Sequence, residues 1–176
     1  GAAYEQYLAK YIVKEKNSLK LETKPEIKKA GGICYTPTYI VETIVQETLN
    51  NQRAIFSTKS FRPKILDPAC GSGTFLITAF DYLVKINSPK PLKKSELPKL
   101  ISMDEKRKLL KDCIFGVDLD PRAIEITKLS LMLKLLEGEQ QGSLIKQAVL
   151  PHLEENIRHG NSLIEPRDLA RHDIAD

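Results

Sequence analysis

Cysteine is scarce in this sequence, and neither the cysteines nor the histidines have the spacing of a metal site. Cys34, Cys70 and Cys113 lie far apart and form no CxxC pair. The three histidines show neither HxxxH nor HExxH spacing. We therefore expect no disulfide framework and no metal centre, because paired thiols or closely spaced ligands are the usual signature of each.

Long apolar runs are missing as well. No stretch approaches the roughly 18 uninterrupted apolar residues of a membrane span. The chain also shows no basic and then apolar leader at its start. We expect a cytoplasmic protein without a membrane partner.

Two common phosphate-binding patterns are absent or incomplete. The pattern GxxxxGK[ST] does not occur, which argues against an NTPase. Leu76 stands where a third glycine would complete GxGxxG. A dinucleotide dehydrogenase is therefore disfavoured.

The composition that is present is ordinary for a folded protein. Of the 176 residues, 41% are hydrophobic and 28% are charged. One domain has roughly 150 residues, so we expect a single core with a small appendage. We divide the chain into residues 1–30, an N-terminal helical segment or linker, and residues 31–176, the main domain.

Positive charge is concentrated in residues 88–111. This segment holds eight Lys or Arg residues against three acidic ones, while the whole chain has a net charge of +4. Lysines that neutralise phosphates release counterions, so DNA is a possible partner. A solvated insertion has the same composition, and we interpret the segment as a basic insertion. Its basic residues are Lys90, Lys93, Lys94, Lys99, Lys106, Arg107, Lys108 and Lys111.

Hydrophobic periodicity predicts an α/β fold. An amphipathic helix follows Thr36-Pro37, which supplies an N-cap and a first-turn proline. Residues 63–66 predict a short strand that runs into a glycine-rich turn and then a helix, which is the opening of a βαβ unit. We also expect a short helix near residues 103–111 inside the basic insertion.

A second strand and helix follow this insertion. Residues 113–117 have a buried-strand pattern, and a largely apolar helix is predicted over residues 121–137. Asp120 and Pro121 supply its cap and first position. Residues 156–159 predict a weak third strand.

The glycine-rich turn and the end of the second predicted strand have the composition of a nucleotide-type site. Gly71 and Gly73 allow backbone N–H groups to approach a ligand closely, because glycine has no Cβ. A carboxylate at Asp118 can accept both ribose hydroxyl hydrogens, and Leu119 can cover an adenine ring. Asp118 and Asp120 could instead both cap the helix, a role that Asp120 fits better.

Four segments of the chain carry a resemblance: Gly32–Pro37, Asp67–Leu76, Gly116–Pro121 and Asn156–Leu163. They resemble, in order, motifs X, I, II and III of the gamma-class adenine-N6 DNA methyltransferases. The chain is most similar to the methylase region of type IIG restriction-modification enzymes, in which endonuclease and methylase share one polypeptide. This resemblance implies an incomplete Rossmann-like fold, S-adenosylmethionine as cofactor and DNA as partner of the full-length protein.

The resemblance also implies which residues contact the methionine part of S-adenosylmethionine. The segment Tyr35-Thr36-Pro37 would close over the methionine end, although Thr36 can also serve as a helix cap. The loop after the first strand would wrap the amino-acid part. Cys70 is interpreted as a small packing residue there, since no base neighbours it in the sequence. The loop residues are Asp67, Ala69, Cys70, Gly71 and Gly73.

At the adenosine end, the resemblance implies that Asp118 holds the ribose and Leu119 the adenine face. Asn161 and Ser162 would contact the adenine edge. Family members commonly carry Asp where this chain has Asn161, but an amide oxygen still accepts from an amino group.

One family motif does not occur in the 176 residues. The catalytic motif IV, an Asn/Asp-Pro-Pro-Tyr/Phe tetrapeptide, is absent, so we assign no catalytic residue. We therefore expect a fragment that binds the cofactor but does not methylate DNA. The parent would be a site-specific adenine-N6 DNA methyltransferase.

Two alternatives stay open at this point. RNA-adenine and protein-glutamine methyltransferases share the catalytic tetrapeptide and similar cofactor motifs. A non-catalytic DNA-binding module would use residues 88–111 as its contact surface. The sequence assigns neither an oligomeric state nor a DNA recognition sequence.

Overall fold

A computed structural model describes residues 10–15, 18–23, 36–56, 60–89, 101–138 and 151–164. The chain divides into two compact units, Gly1–Ile40 and Val41–Asp176. None of the helices in the described ranges is long and apolar enough to cross a membrane.

The first unit contains an antiparallel β-hairpin. Strands β1 (Lys10–Glu15) and β2 (Ser18–Thr23) pair from Lys10↔Thr23 to Glu15↔Ser18. The predicted N-terminal helix is therefore wrong over these residues. Residues 11–13 are Tyr-Ile-Val, which favours a strand, and Asn17 between the strands is a residue type favoured in tight turns. The rest of residues 1–30 lies outside the described ranges.

Helix α1 (Thr38–Phe56) confirms the amphipathic helix predicted after Thr36-Pro37. The Ile40 N–H donates to the Pro37 carbonyl at 2.9 Å in the first turn. From residue 41 onward, a stripe at intervals of four residues enters the core of the second unit. This stripe consists of Val41, Val45 and Leu49.

A parallel three-stranded sheet forms the centre of the second unit, in the order β3-β4-β5. The strands are β3 (Ile65–Asp67), β4 (Ile114–Asp118) and β5 (Ile157–His159). Helices α2 (Thr74–Asn87) and α3 (Met103–Cys113) lie between β3 and β4, and α4 (Pro121–Leu136) joins β4 to β5. This arrangement confirms the α/β class, the short helix in the basic insertion and the third strand.

The core of the second unit lies where the helices pack against the sheet. Helix α4 buries one face and leaves Leu129 and Leu133 exposed, so it is less enclosed than its apolar composition predicts. The largest side chains below 2% exposure come from every helix and strand of this unit except β3. They include Phe80, Leu76, Leu83, Leu109, Leu110, Ile114, Leu131, Leu135, Leu153, Ile157 and Val41.

Candidate functional site

The carboxyl ends of the three parallel strands meet at one edge of the sheet, because parallel strands run in the same direction. Asp67 ends β3 opposite Gly116, and Asp118 ends β4 opposite His159. In open α/β sheets this edge is where ligands bind.

Residues 68–73, which we call the glycine loop, connect β3 to α2 at this edge. Gly71 and Gly73 have φ angles of 52° and 83°, a region that L side chains rarely adopt. Gly73 precedes the first residue of α2 and provides no side-chain cap, so the first N–H groups of the helix receive no acceptor from the cap residue. Within the loop, the N–H groups of Ala69, Cys70, Gly71 and Gly73 already donate to acceptors of the protein. The expectation that the glycine N–H groups bind a ligand is therefore wrong, and the first turn of α2 is the remaining source of backbone donors.

Asp118 joins the end of β4 to the glycine loop. Its Oδ2 accepts a hydrogen bond from the Gly71 N–H at 2.8 Å, and its Oδ1 accepts one from the Asp120 N–H at 2.9 Å. A carboxylate has about four lone-pair sites. Each oxygen of Asp118 thus keeps capacity for a further donor, while the carboxylate orientation is already fixed.

Asp120 takes the capping role that its position before Pro121 predicts. Its side chain accepts from the Arg122 N–H at 2.9 Å, and Pro121 is the first residue of α4. The two neighbouring aspartates therefore differ in role, because Asp120 caps the helix whereas Asp118 faces the glycine loop.

Asp67 lies beside Asp118 in an environment that disfavours its charge. Burial raises the pKa of Asp67, the negative charge of Asp118 raises it further, and the hydrogen bond from the Ala69 N–H opposes both. That hydrogen bond measures 3.1 Å to Asp67 Oδ1. A cationic ligand group near these two carboxylates would relieve their repulsion.

Cys70, a residue of the glycine loop, is buried against strand β4. Its N–H donates to the Val117 carbonyl at 2.9 Å. Its Sγ packs closely against Gly116, where an added Cβ would lie only 3.1 Å away. Burial, and then the charges of Asp67 and Asp118, raise the pKa of the Cys70 thiol to about 12. The thiol is therefore neutral near pH 7 and unsuited to nucleophilic chemistry.

The loop after β5 reaches the same edge. Ser162 Oγ donates to the Pro68 carbonyl at 2.8 Å, which ties this loop to the glycine loop. His159 Nε2 lies 3.0 Å from the Leu119 carbonyl oxygen. Asn161 Oδ1 accepts from the Leu163 N–H at 3.0 Å, and an amide oxygen has a second lone pair that can accept from a ligand.

The structure brings most of the predicted contact residues together at this edge. Tyr35 lies outside the described ranges, and Thr36 and Pro37 belong to the first compact unit. Their contacts with a cofactor stay predictions. The residues gathered at the edge are Asp67, Ala69, Cys70, Gly71, Gly73, Asp118, Leu119, Asn161 and Ser162.

Sequence reasoning missed Thr127 and Ser72. Thr127 is fully buried on α4, and its hydroxyl donates to the Gly71 carbonyl at 2.8 Å. Its signal in the sequence is a polar residue four positions from both Ala123 and Leu131, on an otherwise apolar helix face. The Ser72 hydroxyl is buried without a hydrogen-bond partner among the described residues, and no pattern marked it.

In the described part of the basic segment, residues 101–111, two of the four basic side chains are less available than the composition suggests. Lys106 is only 4% exposed, and its Nζ donates to the Glu137 carbonyl at 3.1 Å. Arg107 forms an ion pair with Asp104 at 3.0 Å. Lys108 and Lys111 are exposed, whereas residues 90–100 lie outside the described ranges. Helix α3 thus uses part of its positive charge inside the fold.

In α/β proteins, a parallel sheet with a glycine loop after one strand and an acidic residue at the end of its neighbour is the arrangement at which nucleotide-type cofactors bind. The chain matches the N-6 DNA methylase family over residues 1–169. It belongs to that family.

Several known proteins are similar to this chain. The type II restriction enzyme and methyltransferase RM.Eco57I of Escherichia coli is 34% identical over 96% of the chain and 18% of its own length. The putative type II restriction enzyme and methyltransferase RM.MjaORFECS2P of Methanocaldococcus jannaschii is 39% identical over 57% of the chain and 8% of its own length. The chain thus spans less than a fifth of either relative.

A solved structure is also similar, that of a nuclease-deletion mutant of the type ISP restriction-modification enzyme LlaGI with a DNA substrate mimic. It has a TM-score of 0.48 and 23% identity, and it covers 65% of this chain and 9% of that one.

Proposed function

We propose that this chain binds S-adenosylmethionine at the carboxyl edge of its sheet, as the cofactor-binding part of an adenine-N6 DNA methyltransferase from a restriction-modification system. The observation that carries this proposal is the Asp118 carboxylate, which accepts the Gly71 N–H at 2.8 Å and keeps lone pairs for a ligand. It joins the two halves expected of a nucleoside site, the acidic strand end and the glycine loop.

The side chains at this edge match the chemical groups of the cofactor. Asp118 suits the two ribose hydroxyls, and Leu119, 67% exposed beside it, suits the apolar face of adenine. The negative charges of Asp67 and Asp118 complement the ammonium and sulfonium groups. The buried Ser72 hydroxyl, which lacks a partner in the described structure, adds a polar group within the loop that carries the site.

S-Adenosylmethionine supplies a methyl group activated on its sulfonium. In the whole protein, the N6 amine of a flipped adenine is the proposed acceptor in an in-line displacement. The chain's own residues bind and orient the reactants rather than form a covalent bond. Because the 176 residues contain no motif IV tetrapeptide, we propose that this chain alone binds the cofactor without transferring its methyl group.

DNA is the proposed substrate of the whole protein, with restriction-modification as its setting. The family description and the names of both relatives support this choice over RNA and protein-glutamine substrates. A separate DNA-binding function of helix α3 is not favoured, since Lys106 is buried and Arg107 is paired with Asp104.

Calorimetric titration of the chain with S-adenosylmethionine, and separately with NAD, tests the proposal. We expect saturable binding of S-adenosylmethionine only. Asp118→Ala should weaken it by at least about 100-fold, because it removes charge-assisted hydrogen bonds to the ribose and the acceptor for Gly71. Asp112→Ala is the matched control, since Asp112 is an exposed carboxylate on α3 whose side chain is 3.6 Å from Arg62.

A folded chain that binds NAD, or that binds neither compound, would contradict the proposal. Equal affinities for the Asp118 and Asp112 variants would contradict the assignment of the ribose site. Incubation with labelled S-adenosylmethionine and duplex DNA should leave the DNA unlabelled, and labelling of adenine would show that the chain alone is catalytic.

A further inference from the structure

Thr127 is a polar side chain on a helix face that is otherwise apolar. It is 0% exposed and lies in the middle of α4, between the buried residues Ala123 and Leu131. Burying a hydroxyl without a hydrogen-bond partner costs free energy of folding. The partner of the Thr127 hydroxyl therefore indicates why a polar residue stands here. The Thr127 hydroxyl donates to the Gly71 carbonyl at 2.8 Å, 56 residues earlier in the chain, and a side-chain hydrogen bond also joins Thr127 to Cys70 of the same loop.

Gly71 is consequently held from both sides. Its N–H donates to Asp118 Oδ2 at 2.8 Å, and its carbonyl accepts from Thr127 Oγ1 at the same distance. These two groups belong to the peptide planes on either side of the Gly71 Cα. Fixing both planes fixes φ and ψ of a residue that would otherwise move freely between several conformations.

The Thr127 side chain also fills the space next to Gly73 and leaves no room for a Cβ there. A Cβ on Gly73 would lie 2.8 Å from the Thr127 methyl carbon and 2.9 Å from its hydroxyl oxygen. The same side chain therefore hydrogen-bonds one glycine of the loop and packs against the other. Strand β4 and helix α4 together hold the loop in one shape.

We propose that Thr127 is a positioning residue for cofactor binding, which sets the conformation of the glycine loop before the ligand arrives. This inference rests on the proposed function, because it assigns the loop to S-adenosylmethionine. A loop that is already ordered loses less conformational entropy on binding, so the hydroxyl strengthens affinity without touching the ligand.

Two substitutions distinguish the contribution of the Thr127 hydroxyl from that of its methyl group. Thr127→Val keeps the shape and removes the hydrogen bond, while Thr127→Ser keeps the hydroxyl and removes the methyl. Thr78→Val is the matched control, because the Thr78 hydroxyl also donates to a carbonyl, that of Thr74 within α2, at 2.9 Å. The affinity of each 176-residue variant for S-adenosylmethionine is measured by calorimetry.

Amide hydrogen exchange without ligand gives a second readout, which does not depend on cofactor binding. Thr127→Val should weaken affinity by about three- to tenfold, the effect of one lost hydrogen bond. It should also speed exchange at the Gly71 and Gly73 amides while leaving the core of α4 protected. Thr127→Ser should stay within about twofold of the wild type in affinity.

The outcomes distinguish the two proposals. If the wild type does not bind S-adenosylmethionine but Thr127→Val still loosens the loop, the proposed function fails and the positioning of the loop stands. Unchanged exchange and affinity in Thr127→Val would overturn the inference. Equal losses in the valine and serine variants, or an equal loss in Thr78→Val, would also overturn it, since they would indicate a general packing defect.

Discussion

The glycine loop and helix α3 both carry residues that the sequence suggests as ligand contacts, but the structure uses their polar groups differently. In the glycine loop, Gly71 is held by Asp118 and Thr127 at an exposed edge of the sheet. In α3, Lys106 points inward to the Glu137 carbonyl, and Arg107 pairs with Asp104. Position at the strand ends leaves Asp118 with lone pairs for a further donor, whereas the charge of Lys106 and Arg107 is used within the fold.

The largest expected effect concerns the glycine loop. Gly73→Ala should destabilise the chain by about 2–4 kcal/mol, because the side chain adds backbone strain and overpacks Thr127. Urea unfolding measures the loss. Gly138→Ala is the control, since Gly138 has the same φ of 83° but no atom within 4 Å of an added Cβ.

Strain alone should cost Gly138→Ala about 1 kcal/mol. Equal losses for Gly73→Ala and Gly138→Ala would mean that the contact with Thr127 does not constrain the loop.

The next effect comes from α3. Lys106→Met should destabilise the chain by about 1–3 kcal/mol, because it removes a buried donor to the Glu137 carbonyl at the end of α4. Lys108→Met, at an exposed position of the same helix, should stay within about 0.5 kcal/mol of the wild type. Urea unfolding compares the two variants.

Neither lysine variant should change affinity for S-adenosylmethionine. A loss of affinity in Lys108→Met would contradict the difference between the glycine loop and α3, because it would assign a ligand contact to α3.

A smaller effect is expected at Asp67, where stability and binding should move in opposite directions. Asp67→Asn should raise the melting temperature by a few degrees near neutral pH, because it removes a half-buried charge next to Asp118 and keeps an acceptor for Ala69. The same variant should bind S-adenosylmethionine more weakly, since a negative charge is lost.

The direction of the pH dependence follows from the raised pKa of Asp67. Its protonated form suits the fold, so the advantage of Asp67→Asn is present above that pKa and disappears as the pH falls below it. Wild-type affinity for the cationic cofactor should fall over the same range, and that of Asp67→Asn should fall less. Melting curves and titrations across the acidic range test both. A stability advantage that persists in acid would show that the Asp67 charge is not its cause.

The smallest effect is expected at Cys70. Cys70→Ala should change affinity for S-adenosylmethionine by less than about threefold. The reason is that burial and two nearby carboxylates raise the pKa of the thiol to about 12, which leaves it neutral and unreactive. Calorimetry measures the change, and a loss comparable to that of Asp118→Ala would show that Cys70 contributes more than packing.

Much of the second unit was predictable from local patterns. The strand, glycine loop and helix around residues 65–87 follow from a short apolar run, a glycine-rich turn and a 3.6-residue period. Asp120 and Pro121 mark the start of α4 because capping depends only on neighbouring residues. The carboxylates at the strand ends, Asp67 and Asp118, could also be predicted from the sequence.

The hairpin β1–β2 was missed because its sequence carries conflicting signals. Lysine, glutamate and leucine favour a helix in isolation, and they surround the short Tyr-Ile-Val run that favours a strand. Pairing of the two strands decides the outcome, from Lys10↔Thr23 to Glu15↔Ser18. Such pairing is a non-local property that single-residue preferences do not contain.

By itself, the sequence determined which segments form the sheet and helices of the second unit and which residues end its strands, because periodicity, glycine turns and caps act over a few positions. Only the tertiary structure decided that Thr127 holds Gly71 across 56 residues and that Lys106 turns inward to Glu137 across 31 residues. These contacts depend on where helices α3 and α4 pack, and that packing is set by the shape of the whole core.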